Sequence, residues 1–266
     1  MAYISPLLTN IVTIVKKASV NLSRDFSEIE RLQTSIKGSL DFTRIAFDKA
    51  QKGIAVELSK FGDTYPVVFA GKNPEKLKSY FSVSIIEGLA NFAHGNPWFG
   101  ISVALIDNGV VVASVIYNPA LDELFFAEKG KGAFKEGFRS HERLRVSAKQ
   151  ELEGALVAVK PDVNDKETTY KFINNVVGAT GDVRVSGALG LDLAYLAAGK
   201  IDAVIAPNAM QASIAAGILL VKEAGGMVLD IEQKDTRTED LKMVLNSGNL
   251  MAVNFNLSQK IAKVLK

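Results

Sequence analysis

The order of apolar segments along the chain changes near residue 148, and this change constrains the fold more than any other feature. Before it, short β-branched and apolar runs are separated by turn signals such as Asp107-Asn108-Gly109 and Asn118-Pro119, which are typical of antiparallel strands. After it, strand-like runs alternate with helix-like segments. The sequence therefore predicts an α+β protein with two parts, 1–148 and 149–266, joined without a linker into one compact unit.

The periodicity also predicts where the individual elements lie. Two helices are expected over 6–26 and 42–61, with a break at Lys37-Gly38. The first part is expected to form an antiparallel sheet from strands 66–70, 99–105, 110–117, 123–127 and 130–134. In the second part the expected strands are 155–159, 183–185, 202–206, 227–230 and 250–254. The helices expected between and after them are 167–176, 190–198, 210–224 and 257–265.

Composition excludes several classes of protein. The chain has 31 Lys and Arg against 29 Asp and Glu, a balance that argues against binding to nucleic acid or to a membrane surface. It has no cysteine and only two histidines, which excludes disulfides, zinc–thiolate sites and cysteine nucleophiles and leaves no basis for a multi-histidine metal site. The apolar positions near the N-terminus fit one face of a helix better than a signal peptide, so a cytoplasmic location is expected.

Residues 84–97, Ser-Ile-Ile-Glu-Gly-Leu-Ala-Asn-Phe-Ala-His-Gly-Asn-Pro, carry the most specific pattern in the chain. They resemble the motif D-P-[IL]-D-G-T-x-N-F-x-x-G-x-P of the inositol monophosphatase family. The motif's second half is intact, with matches at Gly88, Asn91, Phe92, Gly95 and Pro97. Blocks at 118–134, 187–199 and 215–226 are also similar to the family, in the right order over nearly the whole chain. The resemblance is strongest to its SuhB-like bacterial branch.

This resemblance implies a layered αβαβα sandwich, usually a homodimer, and descent from magnesium-dependent phosphatases of inositol phosphates. In such enzymes the magnesium ions neutralise the phosphate and activate a water molecule. Magnesium requires hard oxygen ligands, so several carboxylates must converge on one point. The phosphate itself rests on backbone N–H groups at a helix start, which correspond here to Gly88 and Leu89.

Mapped onto this sequence, most of the family's functional side chains are replaced. The family-equivalent residues are Phe47 for an early aspartate, Ala70-Gly71 for the glutamate pair, Ser84 and Glu87 for the D-P-I-D aspartates, Leu89 for the threonine, Ala188 for the substrate-contacting Ser or Thr, and Ala212-Ser213 for the W-D pair. A single carboxylate cannot balance two magnesium ions. The resemblance therefore implies weak or absent magnesium binding, with no other cofactor expected, and Phe47 and Leu89 are expected to fill the former polar cavity.

Several alternatives stay open at the level of sequence. Glu87 is either a remnant metal ligand or a carboxylate stabilised by a helix N-terminus, whereas Asp192, Asp202 and the Glu223 turn fit structural roles. A shifted register could recruit Asp48 or Glu75.

For function, the main hypothesis is a dimeric binding or regulatory protein without hydrolysis. Its protein partner would be in a transcription complex, as for some SuhB-like proteins. A separate hypothesis is a sensor that binds a phosphate or inositol phosphate at the N–H groups of Gly88 and Leu89 without hydrolysing it. The rival hypothesis is an active inositol-phosphate or sugar-phosphate phosphatase with rearranged ligands.

Overall fold

The computed structural model describes the backbone of residues 4–32, 36–72, 74, 77–233 and 239–266, and their side chains apart from 30–32 and 36–40. The helices are α1 (Pro6–Leu32), α2 (Ile36–Leu58), α3 (Leu89–Ala93), α4 (Lys166–Thr180), α5 (Leu189–Ala197), α6 (Gln211–Glu223), α7 (Leu241–Ser247) and α8 (Ser258–Val264). None of the described helices is long and apolar enough to cross a membrane.

The strands of the described chain form two sheets. The first contains, in spatial order, β1 (Val67–Phe69), β2 (Tyr80–Glu87), β3 (Gly100–Asp107), β4 (Val110–Asn118), β5 (Glu123–Glu128), β6 (Gly132–Lys135) and β7 (Glu142–Arg143). The other strands are β8 (Leu156–Val159), β9 (Asp182–Arg184), β10 (Ala203–Ala206), β11 (Met227–Asp230) and β12 (Leu250–Val253), which pair in the order β11-β12-β10-β8-β9.

Three apolar cores stack these elements into five layers. One core joins α1 and α2 to the first sheet, the second places α5 and α6 between the two sheets, and the third covers the outer face of the second sheet with α4 and α8. The resulting order is helix, sheet, helix, sheet, helix. The expectation of a layered αβαβα sandwich is therefore confirmed.

The middle helices have almost no solvent-facing side, which explains their composition. In α5 eight of nine residues are buried, and in α6 nine of 13. A helix enclosed by two sheets must be apolar all round, without the one-sided pattern of a surface helix. Gly217 lets these two helices approach closely, because a Cβ there would overlap the Leu193 side chain.

The sequence-based boundaries fail mainly in the first part of the chain. The helix predicted over 6–26 continues to Leu32, and α2 begins at Ile36, so Lys37-Gly38 lies inside a helix and does not break one. Strand β2 was missed, because all eight of its residues are buried and it lacks the alternation of a half-buried strand. The first sheet is also not wholly antiparallel, since β1 runs parallel to β2.

Glu223, at the end of α6, fastens the middle layer to the first sheet. Its two carboxylate oxygens accept hydrogen bonds from the backbone N–H groups of Gly130 at 2.7 Å and Gly132 at 2.8 Å, in the turn between β5 and β6. A carboxylate that accepts two backbone N–H groups is a charge-assisted clamp. This geometry explains the structural role expected for the Glu223 turn.

Replacing Glu223 with Ala should lower the free energy of unfolding by about 2–4 kcal/mol, because two hydrogen bonds to a charged group are lost. Urea unfolding followed by circular dichroism measures the change. Glu153→Ala is the matched control, since Glu153 is exposed and its loss should change stability by less than about 0.5 kcal/mol. Equal effects of the two substitutions would contradict the clamp.

Candidate functional site

The first half of the motif forms the strained end of β2. Ser84 pairs with Ser102 and Glu87 with Gly100, and the register between β2 and β3 shifts between these two pairs. Inside the resulting bulge Ile86 has a φ of 50°. A β-branched residue rarely adopts this left-handed conformation, which persists only where the surroundings impose it. The backbone of the motif is therefore held in a defined irregular shape.

The second half of the motif is a scaffold that joins three loops. Asn91 Nδ2 donates to the carbonyl oxygens of Trp98 at 2.7 Å and Ser186 at 2.8 Å. Gly88 has a φ of 87°, and a Cβ on it would lie 2.7 Å from the Trp98 carbonyl oxygen. Phe92 is fully buried and packs edge-on against Phe99. These matches to the family motif are thus explained by backbone geometry and packing alone.

Two of the family-equivalent blocks, the glutamate pair and the W-D pair, meet at one open cavity, and the residues that they place there carry no carboxylate. Ala70 and Gly71 follow β1, and Ala212 lies in the first turn of α6; all three line one open cavity of about 760 Å³. Ser84 is buried on β2, and Ser213 is partly buried next to Ala212. The fold therefore brings Ala70, Gly71 and Ala212 to one cavity, where these side chains are small and neutral, whereas Ser84 and Ser213 are not among the residues that line it.

Glu87, the one carboxylate kept at these positions, is turned into the protein. It is buried, and its Oε2 accepts a hydrogen bond of 2.6 Å from the backbone N–H of Gly190 in the first turn of α5. This geometry matches the alternative in which a helix N-terminus stabilises the Glu87 carboxylate. The helix is α5, however, and not the short α3 that follows Glu87 in sequence. The hydroxyls of Ser102 and Ser84 also lie beside this carboxyl and favour its charged form, which lowers its pKa.

A second buried acid lies close to Glu87. Asp192 Oδ2 accepts from Ser186 Oγ at 2.6 Å, which agrees with its expected structural role. Burial raises the pKa of Glu87 to about 7; the Gly190 N–H opposes this rise and the charge of Asp192 adds to it. Burial likewise raises the pKa of Asp192 to about 7, and the Ser186 hydroxyl opposes that rise. The two carboxyls cannot both carry a full charge at low cost.

The described residues do not fit a magnesium centre. No group of three or more His, Asp or Glu side chains in this part of the chain lies close enough together to hold a metal ion. Asp48 is exposed on α2, in line with the helical step that separates it from Phe47, and Glu75 lies outside the described residues. At the described family-equivalent positions Glu87 is accompanied only by neutral side chains, and one carboxylate cannot offset the charge of two divalent ions.

Three further family-equivalent residues have different surroundings. Phe47 is partly buried and packs against the core between the outer helices and the first sheet. Leu89 is 47% exposed, so the expectation that it fills a former polar cavity is wrong; the five-residue helix α3 leaves its side chain at the surface. Ala188 is buried and precedes α5. Anion binding by the backbone N–H groups of Gly88 and Leu89 stays a prediction.

Sequence reasoning missed the charged groups that line the cavity. Lys72, after β1, and Lys242, in the first turn of α7, are the charged residues among its described lining. Tyr80 on β2 donates its hydroxyl to Gln211 Oε1 at 2.8 Å, at the start of α6. No local motif links these residues, because the cavity collects them from three separate parts of the chain: the β1–β2 region, the start of α6 and the start of α7.

Comparison with known proteins identifies the relatives of this fold and site. A sequence profile described as "Inositol monophosphatase family" matches residues 86–266. The chain belongs to the inositol monophosphatase family. It is 35% identical over 98% of its length to a protein of Rhizobium meliloti named inositol-1-monophosphatase, and the match covers 97% of that protein. It is 31% identical over 85% of its length to the Nus factor SuhB of Salmonella typhimurium, also covering 85% of that protein.

A solved structure supports the same assignment. The extragenic suppressor protein suhB from Bartonella henselae superposes with a TM-score of 0.83 at 34% identity, covering 98% of this chain and 99% of that one. Membership of the family and the likeness to its SuhB-like proteins, both inferred from the motif, are therefore confirmed. The family is one of phosphatases, and relatives with either kind of name share the fold of this chain.

Replacing Glu87 with Gln should change how stability depends on pH. Because the native state holds the Glu87 proton up to a pKa of about 7, against an ordinary 4.5, the free energy of unfolding should fall as pH rises from about 4.5 to 7. In Glu87→Gln this decrease in the free energy of unfolding should be smaller by up to about 3 kcal/mol. The variant should therefore be more stable than the parent at pH 8. The pH dependence of stability that remains in the variant should come from Asp192, whose pKa is also raised by burial.

The measurement is urea unfolding at pH 5 and pH 8. Glu167→Gln, on the exposed first turn of α4, serves as the control and should retain the parental difference between the two pH values. If Glu87→Gln showed the same difference in the free energy of unfolding between pH 5 and pH 8 as the parent, the Glu87 carboxyl would not be the buried group that titrates.

Gly190 and Glu87 should be energetically coupled. A Cβ on Gly190 would overlap Glu87 Oε2 and lie 2.6 Å from Ser102 Oγ. Gly190→Ala should therefore cost about 1–3 kcal/mol, and about 1 kcal/mol of that cost should disappear in the Glu87→Ala background. Gly178→Ala, in α4 with no atom near the added Cβ, is the control and should stabilise by about 0.5–1 kcal/mol. Additive effects of Gly190→Ala and Glu87→Ala would contradict the contact.

Proposed function

We propose that this protein is a member of the inositol monophosphatase family that binds its ligands without metal-dependent hydrolysis. The observation that carries the proposal is the donor set: at the positions where the family places carboxylates the chain has Phe47, Ala70, Gly71, Ser84 and Ser213, and only Glu87 keeps one. Phosphate monoester hydrolysis requires strong charge neutralisation and an activated water molecule. Neutral side chains supply neither.

The environment of Glu87 gives further support. A carboxylate that serves a metal ion faces the metal and is held ionised by it. Glu87 instead accepts the backbone N–H of Gly190 and caps the first turn of α5. In the proposed role Glu87 stabilises the junction between β2 and α5.

The regulatory part of the proposal comes from the SuhB-like relatives. The Salmonella typhimurium relative is named a Nus factor, which favours a role through a protein partner in a transcription complex. We propose that this chain acts in the same way, as a cytoplasmic homodimer.

Size-exclusion chromatography with light scattering tests the dimer, and a single 28.7 kDa species at working concentrations would contradict it.

The second candidate function is an active inositol-phosphate or sugar-phosphate phosphatase with rearranged ligands. It is favoured by the name inositol-1-monophosphatase of the Rhizobium meliloti relative, which aligns over 98% of this chain. Ligands outside the family-equivalent positions would then have to complete the metal site, and Glu87 would have to turn away from Gly190.

Assays with inositol 1-phosphate and magnesium or manganese, with and without EDTA, distinguish the two functions. The proposed function predicts no phosphate release above background, while the Rhizobium meliloti relative, assayed in parallel, should turn over. Turnover that both EDTA and Glu87→Ala abolish would contradict the proposal and establish the rearranged site.

A further inference from the structure

The first sheet ends in a strand whose outer side is open. Strand β7 is last in the order of that sheet and pairs with β6 alone, with Arg143 opposite Phe134. The next backbone N–H, that of Leu144, donates to the Ala133 carbonyl oxygen at 2.8 Å. Residues of an antiparallel pair alternately face the neighbouring strand and turn away from it. Arg143 therefore directs its own N–H and C=O groups away from β6, toward the open side.

This edge carries positive charge that the fold leaves unpaired. Arg139, Arg143 and Arg145 are exposed, and Glu142 is the one acid between them in sequence. None of the ion pairs in the described ranges involves these three arginines. Acids on or next to the neighbouring strands already have cations: Glu123 pairs with Lys135 at 2.5 Å, Glu128 with Lys131 at 2.6 Å, and Glu136 with Lys16.

Arg143 and Arg145 lie on the same face of this edge. Leu144 and Val146 pack into the core between the two sheets, and side chains of an extended chain alternate between its faces. The two arginines are thus about 7 Å apart along the edge, the spacing of alternate residues on any strand that pairs there. A guanidinium group matches a carboxylate with two parallel hydrogen bonds.

The turn that leads into β7 presents an aromatic ring to solvent. Phe138 is 99% exposed. The turn around it is tight, because a Cβ on Gly137 would lie 2.3 Å from the Ser140 carbonyl oxygen. His141, at the end of the turn, packs edge-on against Phe126 with ring centroids 5.0 Å apart. The ring of Phe138 therefore projects from a fixed support, and aromatic and arginine side chains together are typical of protein interfaces.

An edge of the second sheet shows a different arrangement. On β9, the last strand of that sheet, Arg184 lies 3.6 Å from Asp182 of the same strand. Charged side chains commonly protect sheet edges from pairing with other chains. At β9 the charge is locally balanced, whereas at β7 the arginines leave a net positive charge beside unpaired backbone groups.

We propose that the β7 edge is the docking site for an extended acidic segment of a protein partner, which adds a strand to the first sheet. The backbone of this segment pairs with the N–H and C=O groups of Arg143. Its carboxylates, at alternate positions, bind Arg143 and Arg145, and an apolar side chain covers Phe138. A formal charge of only +2 for the whole chain favours an acidic peptide over nucleic acid. The proposal rests on the proposed function in assuming a protein partner, and it does not depend on the loss of hydrolysis.

Fluorescence anisotropy of a labelled peptide titrated with the full chain tests this docking site. The probe is a peptide that alternates glutamate with valine and ends in phenylalanine. Its binding should saturate, weaken as ionic strength rises, and fall about tenfold in Arg143→Ala/Arg145→Ala, because two charge-assisted contacts are lost. Phe138→Ala should also weaken it. Lys263→Ala, on α8 in the opposite outer layer, is the charge control and should bind like the parent.

Arg143→Pro separates backbone pairing from charge. It loses the same charge as Arg143→Ala and also the N–H that faces the open side, where an edge strand tolerates proline. It should therefore bind the peptide about threefold or more weakly than Arg143→Ala, the effect of one lost hydrogen bond. Both variants should keep the circular dichroism spectrum and the urea midpoint of the parent.

Peptide binding and hydrolysis are decided by separate results. Saturable binding that depends on both arginines, on Phe138 and on the Arg143 N–H supports the docking site. It is overturned by no saturable binding at millimolar peptide, by parental binding in Arg143→Ala/Arg145→Ala or in Phe138→Ala, or by equal binding of Arg143→Pro and Arg143→Ala.

Two other occupants of the edge are also tested. Tighter binding of single-stranded RNA through the same arginines would make the edge a nucleic-acid site and overturn the proposal. A loss of the dimer in Arg143→Ala/Arg145→Ala, measured by light scattering, would assign the edge to a second copy of the chain and overturn it as well. Each of these results leaves the claim about hydrolysis intact, which phosphate release with magnesium tests alone.

Discussion

The structure depends on a layer of two helices that is buried on every side. Helices α5 and α6 fill the space between two sheets, and their close contact requires the missing side chain of Gly217 against Leu193. Each of these helices is tied at its N-terminal end to β2, α5 through the Gly190 N–H and Glu87, and α6 through Gln211 and Tyr80. Strand β2 therefore sets where both helices begin, and the cavity lies beside one of these junctions.

This arrangement explains how a motif can keep its shape and change its chemistry. Gly88 and Asn91 are required by backbone contacts with the Trp98 and Ser186 loops. The positions of the family's glutamate pair, Ala70 and Gly71, by contrast, line an open cavity where small neutral residues cost the fold little. Glu87 accepts a hydrogen bond from the first turn of α5, and Gly190 leaves the space that its side chain needs.

The sequence specified the layered order well, because its strand and helix patterns in the second part are strong and its family resemblance spans several blocks. It failed at β2, where continuous burial removes the alternation that marks a strand, and at α1 and α2, whose ends lack clear stop signals. Leu89 was misjudged because residue type alone does not reveal on which side of a short helix a side chain lies. Lys72 and Lys242 could not be paired, because only the tertiary fold brings them to one cavity.

The central proposal is that the carboxylates needed for a metal centre are not assembled at this site, as none is found among its described lining residues. Electron paramagnetic resonance of Mn²⁺ titrated into the protein measures free and bound metal directly, independently of any substrate. The account predicts that essentially all Mn²⁺ remains free at millimolar metal and submillimolar protein concentrations. Saturable binding of two Mn²⁺ ions per chain, weakened by Glu87→Ala, would contradict it.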